Sequence, residues 1–258
     1  METLTAPDGT SIAYQVTGTG TPLVLVVGAF CDRSSTADLT ALLADDHTVY
    51  EYDRRGRGAS GDTPPYAPQR EVEDLAAVIA ATGATPHVYG HSSGGVVALE
   101  AAAAGVPMRS LVVYEPPYTA ADDGSGDAGE LLAQVRDLVD AGDRDGAAAA
   151  FVAATGAPAE VVAVMRSGAG WPRMVQLAPT LVYDLTLTGG GRVPVERLAR
   201  VAVPTVALAG GASPPWAARA TSAVAAAVPG ARRSVVPGQH HGIPGAAVAP
   251  VLRELFAA

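Results

Sequence analysis

Apolar positions in this chain fall into two alternating patterns, short dense runs and longer stretches with helical spacing. Pro22 to Val27 contains no polar residue, the pattern of a strand buried on both faces. Ser110 to Tyr114 is again an apolar strand, while His47 to Tyr52, His87 to Tyr89, Pro204 to Ala209 and Ala231 to Val236 give further short runs. Thr10 to Val16 instead alternates between two faces after the turn pair Asp8-Gly9, which predicts an edge hairpin strand. Between the strands, helices are expected from Ser34 to Leu43, from Glu71 to Ala81, after Ser92 as far as Ala104, from Trp216, and from Ala246. Strand and helix therefore alternate, and an α/β fold with a mainly parallel sheet and helices on both faces follows.

The alternation stops between Glu115 and Val203. Glu130 to Val139, Asp145 to Ala154, Ala159 to Met165 and Trp171 to Leu187 all read as helix, with no strand among them. Such an insertion at the carboxyl end of a parallel strand lies over the crevice where ligands bind. The expected division is a core formed by residues 1–117 and 201–258 and a helical cap formed by residues 118–200, with a mobile loop over Ala120 to Gly129.

Composition narrows the function classes. The chain has 258 residues and 17 basic against 26 acidic side chains, a net charge of −9. One large acidic domain is expected. Arg54, Arg55 and Arg57 form the one basic cluster, too little to neutralise a nucleic acid or an anionic membrane, so neither is expected as a partner. A single cysteine, Cys31, excludes an internal disulfide and a cysteine-based metal site. No signal peptide and no apolar stretch of membrane-spanning length is read, and a cytoplasmic setting is expected. Assembly into a homo-oligomer is compatible with these features.

The chemistry concentrates in Gly90-His91-Ser92-Ser93-Gly94-Gly95, which fits G-x-S-x-G between an expected strand and an expected helix. Small residues on both sides let the backbone turn sharply, so Ser92 would stand exposed at the carboxyl edge of the sheet. There the helix dipole and the Ser93 N–H would face negative charge developing on a substrate oxygen.

With these residues in place the chain resembles the α/β-hydrolase family over nearly its whole length. Tyr52 to Ser60 is similar to the family's turn after an early strand, Gly90 to Gly94 to its nucleophile elbow, and Val236 to His241 to the segment carrying its base. The resemblance implies an eight-stranded sheet with a cap inserted after the strand that follows the nucleophile helix, and it implies no metal and no cofactor. It also implies His241 as the base, because Gly238 precedes it by the family's spacing, with His240 as a neighbour that either lines the pocket or faces solvent. The family's usual acid position holds no carboxylate, since Gly210-Gly211-Ala212-Ser213-Pro214-Pro215 places Ser213 there. Glu115, ending the strand Ser110 to Tyr114 before Pro116-Pro117, is the expected acid, and Asp184 is its rival. This pattern resembles the branch containing the zearalenone-type lactone hydrolases, whose triad is Ser-His-Glu. The second oxyanion N–H falls by position on Ala29 in Val27-Gly28-Ala29-Phe30, beside Ser93 N–H.

The expected activity is hydrolysis of a carboxylic ester or lactone through an acyl-enzyme, with a small, medium-sized hydrophobic molecule as substrate. Phe30, Trp171, Met174, Tyr183, Asp184 and His240 are the expected pocket residues. Two alternatives remain at this stage: the same Ser and His turned to a lyase, carbon–carbon hydrolase or cyclisation step, and a ligand-binding protein of low turnover. His91 and Asp53 are expected to be structural, and Cys31 inert.

Overall fold

A computed structural model describes residues 1–118 and 128–257. The expectation of a loop over Ala120 to Gly129 lies largely outside the described residues, and the first insertion helix already begins at Ala128. The core is one eight-stranded sheet: β1 (Glu2–Thr5), β2 (Ser11–Thr17), β3 (Thr21–Val26), β4 (His47–Tyr52), β5 (His87–His91), β6 (Ser110–Tyr114), β7 (Thr205–Gly210) and β8 (Arg232–Val236), in the order β1-β2-β4-β3-β5-β6-β7-β8. From β4 to β8 all neighbours are parallel, while β1 and β2 join antiparallel. The hairpin strand read from Thr10 is therefore not the edge, because the four residues of β1 cover it.

Period-two alternation sorts the strand residues onto two faces. Val24, Val26, Val88, Leu111 and Val113 pack with helices α2 (Pro68–Ala81), α3 (Ser93–Ala103) and α10 (Pro215–Ala227) through Val72, Leu75, Val96, Leu99 and Val224. Their neighbours Leu23, Leu25, Tyr89 and Val112 face the other way, onto Leu39 and Leu43 of α1 (Ala37–Leu43) and Val248, Leu252 and Phe256 of α11 (Gly245–Ala257). Each fully buried Val or Leu contributes roughly 1.5–3 kcal/mol relative to exposure, so this double facing is what holds the sheet's carboxyl edge in register.

Between β6 and β7 come helices α4 (Ala128–Asp140), α5 (Arg144–Ala154), α6 (Ala159–Ser167), α7 (Trp171–Leu177), α8 (Leu181–Leu187) and α9 (Val195–Leu198). Helices α4 to α8 share a separate apolar cluster built on Val135, Val152, Val162, Trp171 and Leu181, against which Ala29 and Phe30 of the core also pack, while Leu187 of α8 and Leu198 of α9 pack in the core cluster with α3 and α10. The single helix expected from Trp171 to Leu187 is two helices, separated by a 3-10 turn over Ala178–Thr180. Pro179 at this break has no N–H to donate, and its ring would collide with the carbonyl four residues before it. Beyond the break, Leu181, Asp184 and Leu187 form the buried face of α8. Among the described residues no helix is long and apolar enough to cross a membrane.

Candidate active site

Ser92 lies between the end of β5 and the start of α3 with φ 55° and ψ −127°. A non-glycine residue reaches this region only when its surroundings hold it there. Two backbone bonds do so: Ser92 N–H donates to the Tyr114 carbonyl at 2.9 Å, and Gly95 N–H donates to the Ser92 carbonyl at 2.8 Å. The turn also needs absent side chains. A Cβ on Gly90 would stand 2.6 Å from Gly95 Cα, and one on Gly28 would stand 2.8 Å from Ser92 Cβ. The loop after β3 is thus pressed directly against the serine.

Among the described residues positive φ at non-glycine positions occurs at Phe30, Ser92 and Glu115. These follow β3, β5 and β6, three adjacent parallel strands, so backbone strain collects at one stretch of the sheet's carboxyl edge. Glu115 is wholly buried there. Its Oε1 accepts from Gly210 N–H at 2.7 Å, and its Oε2 meets His241 Nδ1 at 2.7 Å. A carboxylate only accepts, so His241 carries its proton on Nδ1 and leaves the Nε2 lone pair unprotonated when the ring is neutral. Burial acts to raise the Glu115 pKa, but hydrogen bonds from the His241 ring and the Gly210 N–H outweigh it and hold the carboxyl below its ordinary value. The Ser213 hydroxyl, found where an acid would ordinarily be sought, is buried and meets no hydrogen-bond partner among the described residues.

The loop carrying His240 and His241 is tied down from both sides. His91 Nε2–H donates to the His241 carbonyl at 2.8 Å, and the Tyr114 hydroxyl donates to the His240 carbonyl at 2.7 Å. Burial, with the His241 ring beside it, pushes the His91 pKa down to about 4, so His91 is a neutral donor near pH 7. Trp216 of α10 stands edge-on to His241 with ring centroids 5.4 Å apart. Sequence reasoning assigned no site role to Trp216 or Tyr114, and left His91 as a spacer; local periodicity carries no record of which loops a strand end will meet.

The remaining expected pocket residues separate. Phe30 reaches the insertion and makes an edge contact with Phe151 at 5.3 Å. His240 is exposed. Trp171 is a core residue of the insertion, with its indole N–H donating to Asp145 at 2.7 Å, and Met174 packs half-buried in the same cluster. Tyr183 stacks on Tyr66 at 4.0 Å and donates to Asp62 at 2.6 Å, joining the insertion to a core loop. Asp184 does not line a pocket: it is buried and bonded to Arg54, Arg57 and the Ser93 hydroxyl. It lies on the buried face of α8 with Leu181 and Leu187, at helical spacing. Burial opposes its charge, but Arg57 and Arg54 overcome that and hold its pKa low. Asp53 is likewise buried, accepting from Arg33 and from Ala59 N–H. Among the described residues no three or more His, Cys, Asp and Glu side chains gather as a metal site. The Cys31 thiol is pushed up by burial, which disfavours the thiolate.

Comparison with known proteins agrees with this architecture. A crystal structure of an alpha/beta hydrolase from Sphaerobacter thermophilus superposes with a TM-score of 0.93 at 42% identity, over 99% of this chain and 100% of that one. A thermophilic esterase from Thermogutta terrifontis shares the fold with a TM-score of 0.75 at 21% identity, over 100% of this chain and 98% of the other. N-formylmaleamate deformylase of Pseudomonas putida is 35% identical over 106 residues, 40% of either chain. The match to this chain spans about two fifths of the length of each of its curated relatives. The family description "Alpha/beta hydrolase family" matches residues 23–254, from β3 into the last helix, and with the eight-stranded sheet and its strained strand ends this places the chain in the alpha/beta hydrolase family.

Proposed function

We propose that the protein is a serine hydrolase that cleaves a carboxylic ester or lactone through an acyl-enzyme. The observation that carries this reading is a buried, ionised Glu115 bonded at 2.7 Å to His241, on the same strand edge as a serine held at φ 55°. In this reading Ser92 Oγ attacks the carbonyl carbon while His241 Nε2 takes its proton. The oxyanion is met by the N–H groups of Ala29 and Ser93. The imidazolium then returns the proton to the leaving alkoxide, and water, deprotonated by the same histidine, releases the acid. Glu115 fixes the tautomer and offsets the charge on the ring.

The apolar residues beside the strand edge, Ala29, Phe30, Phe151 and Trp216, suit a medium-sized hydrophobic acyl or lactone group, and the insertion would act as the cap over it. A glutamate at the end of β6 and a serine at position 213 support a likeness to the Ser-His-Glu lactone-hydrolase branch. A lyase or cyclisation step would need a further proton-transfer group. Of the two candidates in the sequence, Asp184 is bound by two arginines and His240 is exposed, and neither suits that role well.

The test is turnover of p-nitrophenyl esters and of aryl and macrocyclic lactones by the wild type, Ser92→Ala and Glu115→Gln, each checked for folding. Turnover by the wild type, with both variants at background, is expected. Turnover retained by Ser92→Ala would overturn the reading.

A further inference from the structure

The insertion places the Asp184 carboxylate in the core, and its partners are not those of a simple latch. Asp184 Oδ1 accepts from Arg54 Nη1 at 2.9 Å, from Arg57 Nη2 at 2.8 Å and from the Ser93 hydroxyl at 2.7 Å, while Oδ2 accepts from Arg57 at 2.8 Å. Arg54 grips Glu71 through two bonds of 2.9 and 2.6 Å, so two cations and two anions balance in a space closed to water. The neutralised network then reaches the segments that supply the oxyanion donors. Arg54 donates to the Val27 carbonyl at 3.2 Å and to Ser93 Oγ at 3.1 Å, and Arg57 donates to the carbonyls of Gly28 and, at 3.3 Å, Cys31. Ala29 is bracketed by these anchored carbonyls on either side, and Ser93 is held through its own hydroxyl.

Charge balance alone requires neither the Ser93 hydroxyl nor the carbonyl anchors. A buried ion network is a poor source of stability compared with apolar packing, since desolvation consumes most of the attraction. It is, however, a stiff device for fixing position, because every member has its directions set by several partners. Oxyanion donors gain their effect from being fixed in advance, and a displacement of about 1 Å can cost about 100-fold in rate.

We infer that Asp184 is a positioning residue that sets both halves of the oxyanion hole, through Ser93 Oγ on one side and through Arg54 and Arg57 on the other, so that the hole is assembled when α8 is seated. The inference rests on the serine-hydrolase reading and adds to it a link between cap placement and catalytic competence.

The test measures the second-order rate of Ser92 phosphonylation by a fluorophosphonate, together with kcat and KM on the best ester. Four variants are compared with the wild type: Ser93→Ala, Asp184→Asn, the double variant, and Arg173→Ala, which removes a different insertion-to-core ion pair with Asp32. The expected result for Ser93→Ala is a labelling rate and kcat lower by about 10-fold, with KM within about twofold and the thermal midpoint near wild type. Asp184→Asn loses at least as much, the double variant loses no more than Asp184→Asn, and Arg173→Ala keeps the wild-type rate. A folded Ser93→Ala that labels at the wild-type rate overturns the inference, and so does independent, additive loss in the double variant. Should Asp184→Asn fail to fold, Ser93→Ala, which leaves the charges paired, decides by itself. Failure of the wild type to label at Ser92 would overturn the serine-hydrolase reading itself and the inference with it, a result distinct from a labelled wild type whose Ser93→Ala variant is unchanged.

Discussion

Glu115 and Asp184 are both buried carboxylates close to the Ser92 turn, and both are held ionised against the cost of burial. They differ in what they touch. Glu115 faces a histidine whose side chain is 37% exposed and which meets the carboxylate through Nδ1. Asp184 faces two guanidinium groups that keep their protons at every working pH. A carboxylate gains a part in proton transfer only through a partner that titrates; one locked on arginine can fix geometry but cannot tune a base. Proximity to a nucleophile is therefore a weak criterion for a triad acid, and the identity of the hydrogen-bond partner is a strong one.

That contrast can be attacked at each end. The largest expected effect is on Glu115→Gln, where an amide would present the wrong hydrogen-bonding group to Nδ1; kcat should fall by about 10³–10⁴-fold while the urea midpoint stays near wild type. A fall under tenfold would erase the distinction between the two carboxylates. At the other end, Asp184→Ala should lower unfolding free energy by about 3–5 kcal/mol in urea titration, because Arg54 and Arg57 lose a buried counter-ion. A loss under about 1 kcal/mol would mean that the network is not holding the insertion to the core.

A smaller effect is expected at Gly28, where a Cβ would lie 2.8 Å from Ser92 Cβ. Gly28→Ala should slow fluorophosphonate labelling by about 100-fold with the fold retained; unchanged labelling would show that the elbow can yield. The smallest effect is on acid stability. His91 and His87 are neutral in the fold, each pushed down by burial to about 4, whereas in the unfolded chain each titrates near 6.5. Below 6.5 the unfolded chain binds more protons, so their share of stability is complete above that pH and is lost as pH falls toward 4. His91→Gln should remove about half of this slope in urea midpoints measured from pH 7 to pH 4.5, and an unchanged slope would contradict the burial argument.

Legibility followed locality. The dense runs at Pro22 to Val27 and Ser110 to Tyr114 became β3 and β6 within a residue or so, because a strand buried on both faces has no choice of residue type. Glu115 could be read because the strand ends there and position 213 lacks a carboxylate. β1 could not, since Glu2–Thr5 gains its place only by pairing with β2. Nor could the Asp184 network, whose members are separated by as many as 130 positions and leave no local pattern. Trp171 and Tyr183 carried a helical stripe whose spacing told that they face something; whether that was substrate, the insertion itself or a core loop depended on helices packed from elsewhere. The loss of one continuous helix at Pro179 was legible in principle from the proline.

The central claim, that Glu115 orients a neutral His241 through Nδ1, is tested most directly by proton NMR at low temperature. A far-downfield resonance from the His241 Nδ1–H bonded to the carboxylate is expected in the wild type and in Ser93→Ala, and it should be absent from His241→Gln and from Glu115→Gln. Its persistence in Glu115→Gln would show that another group holds the base, and would contradict the account.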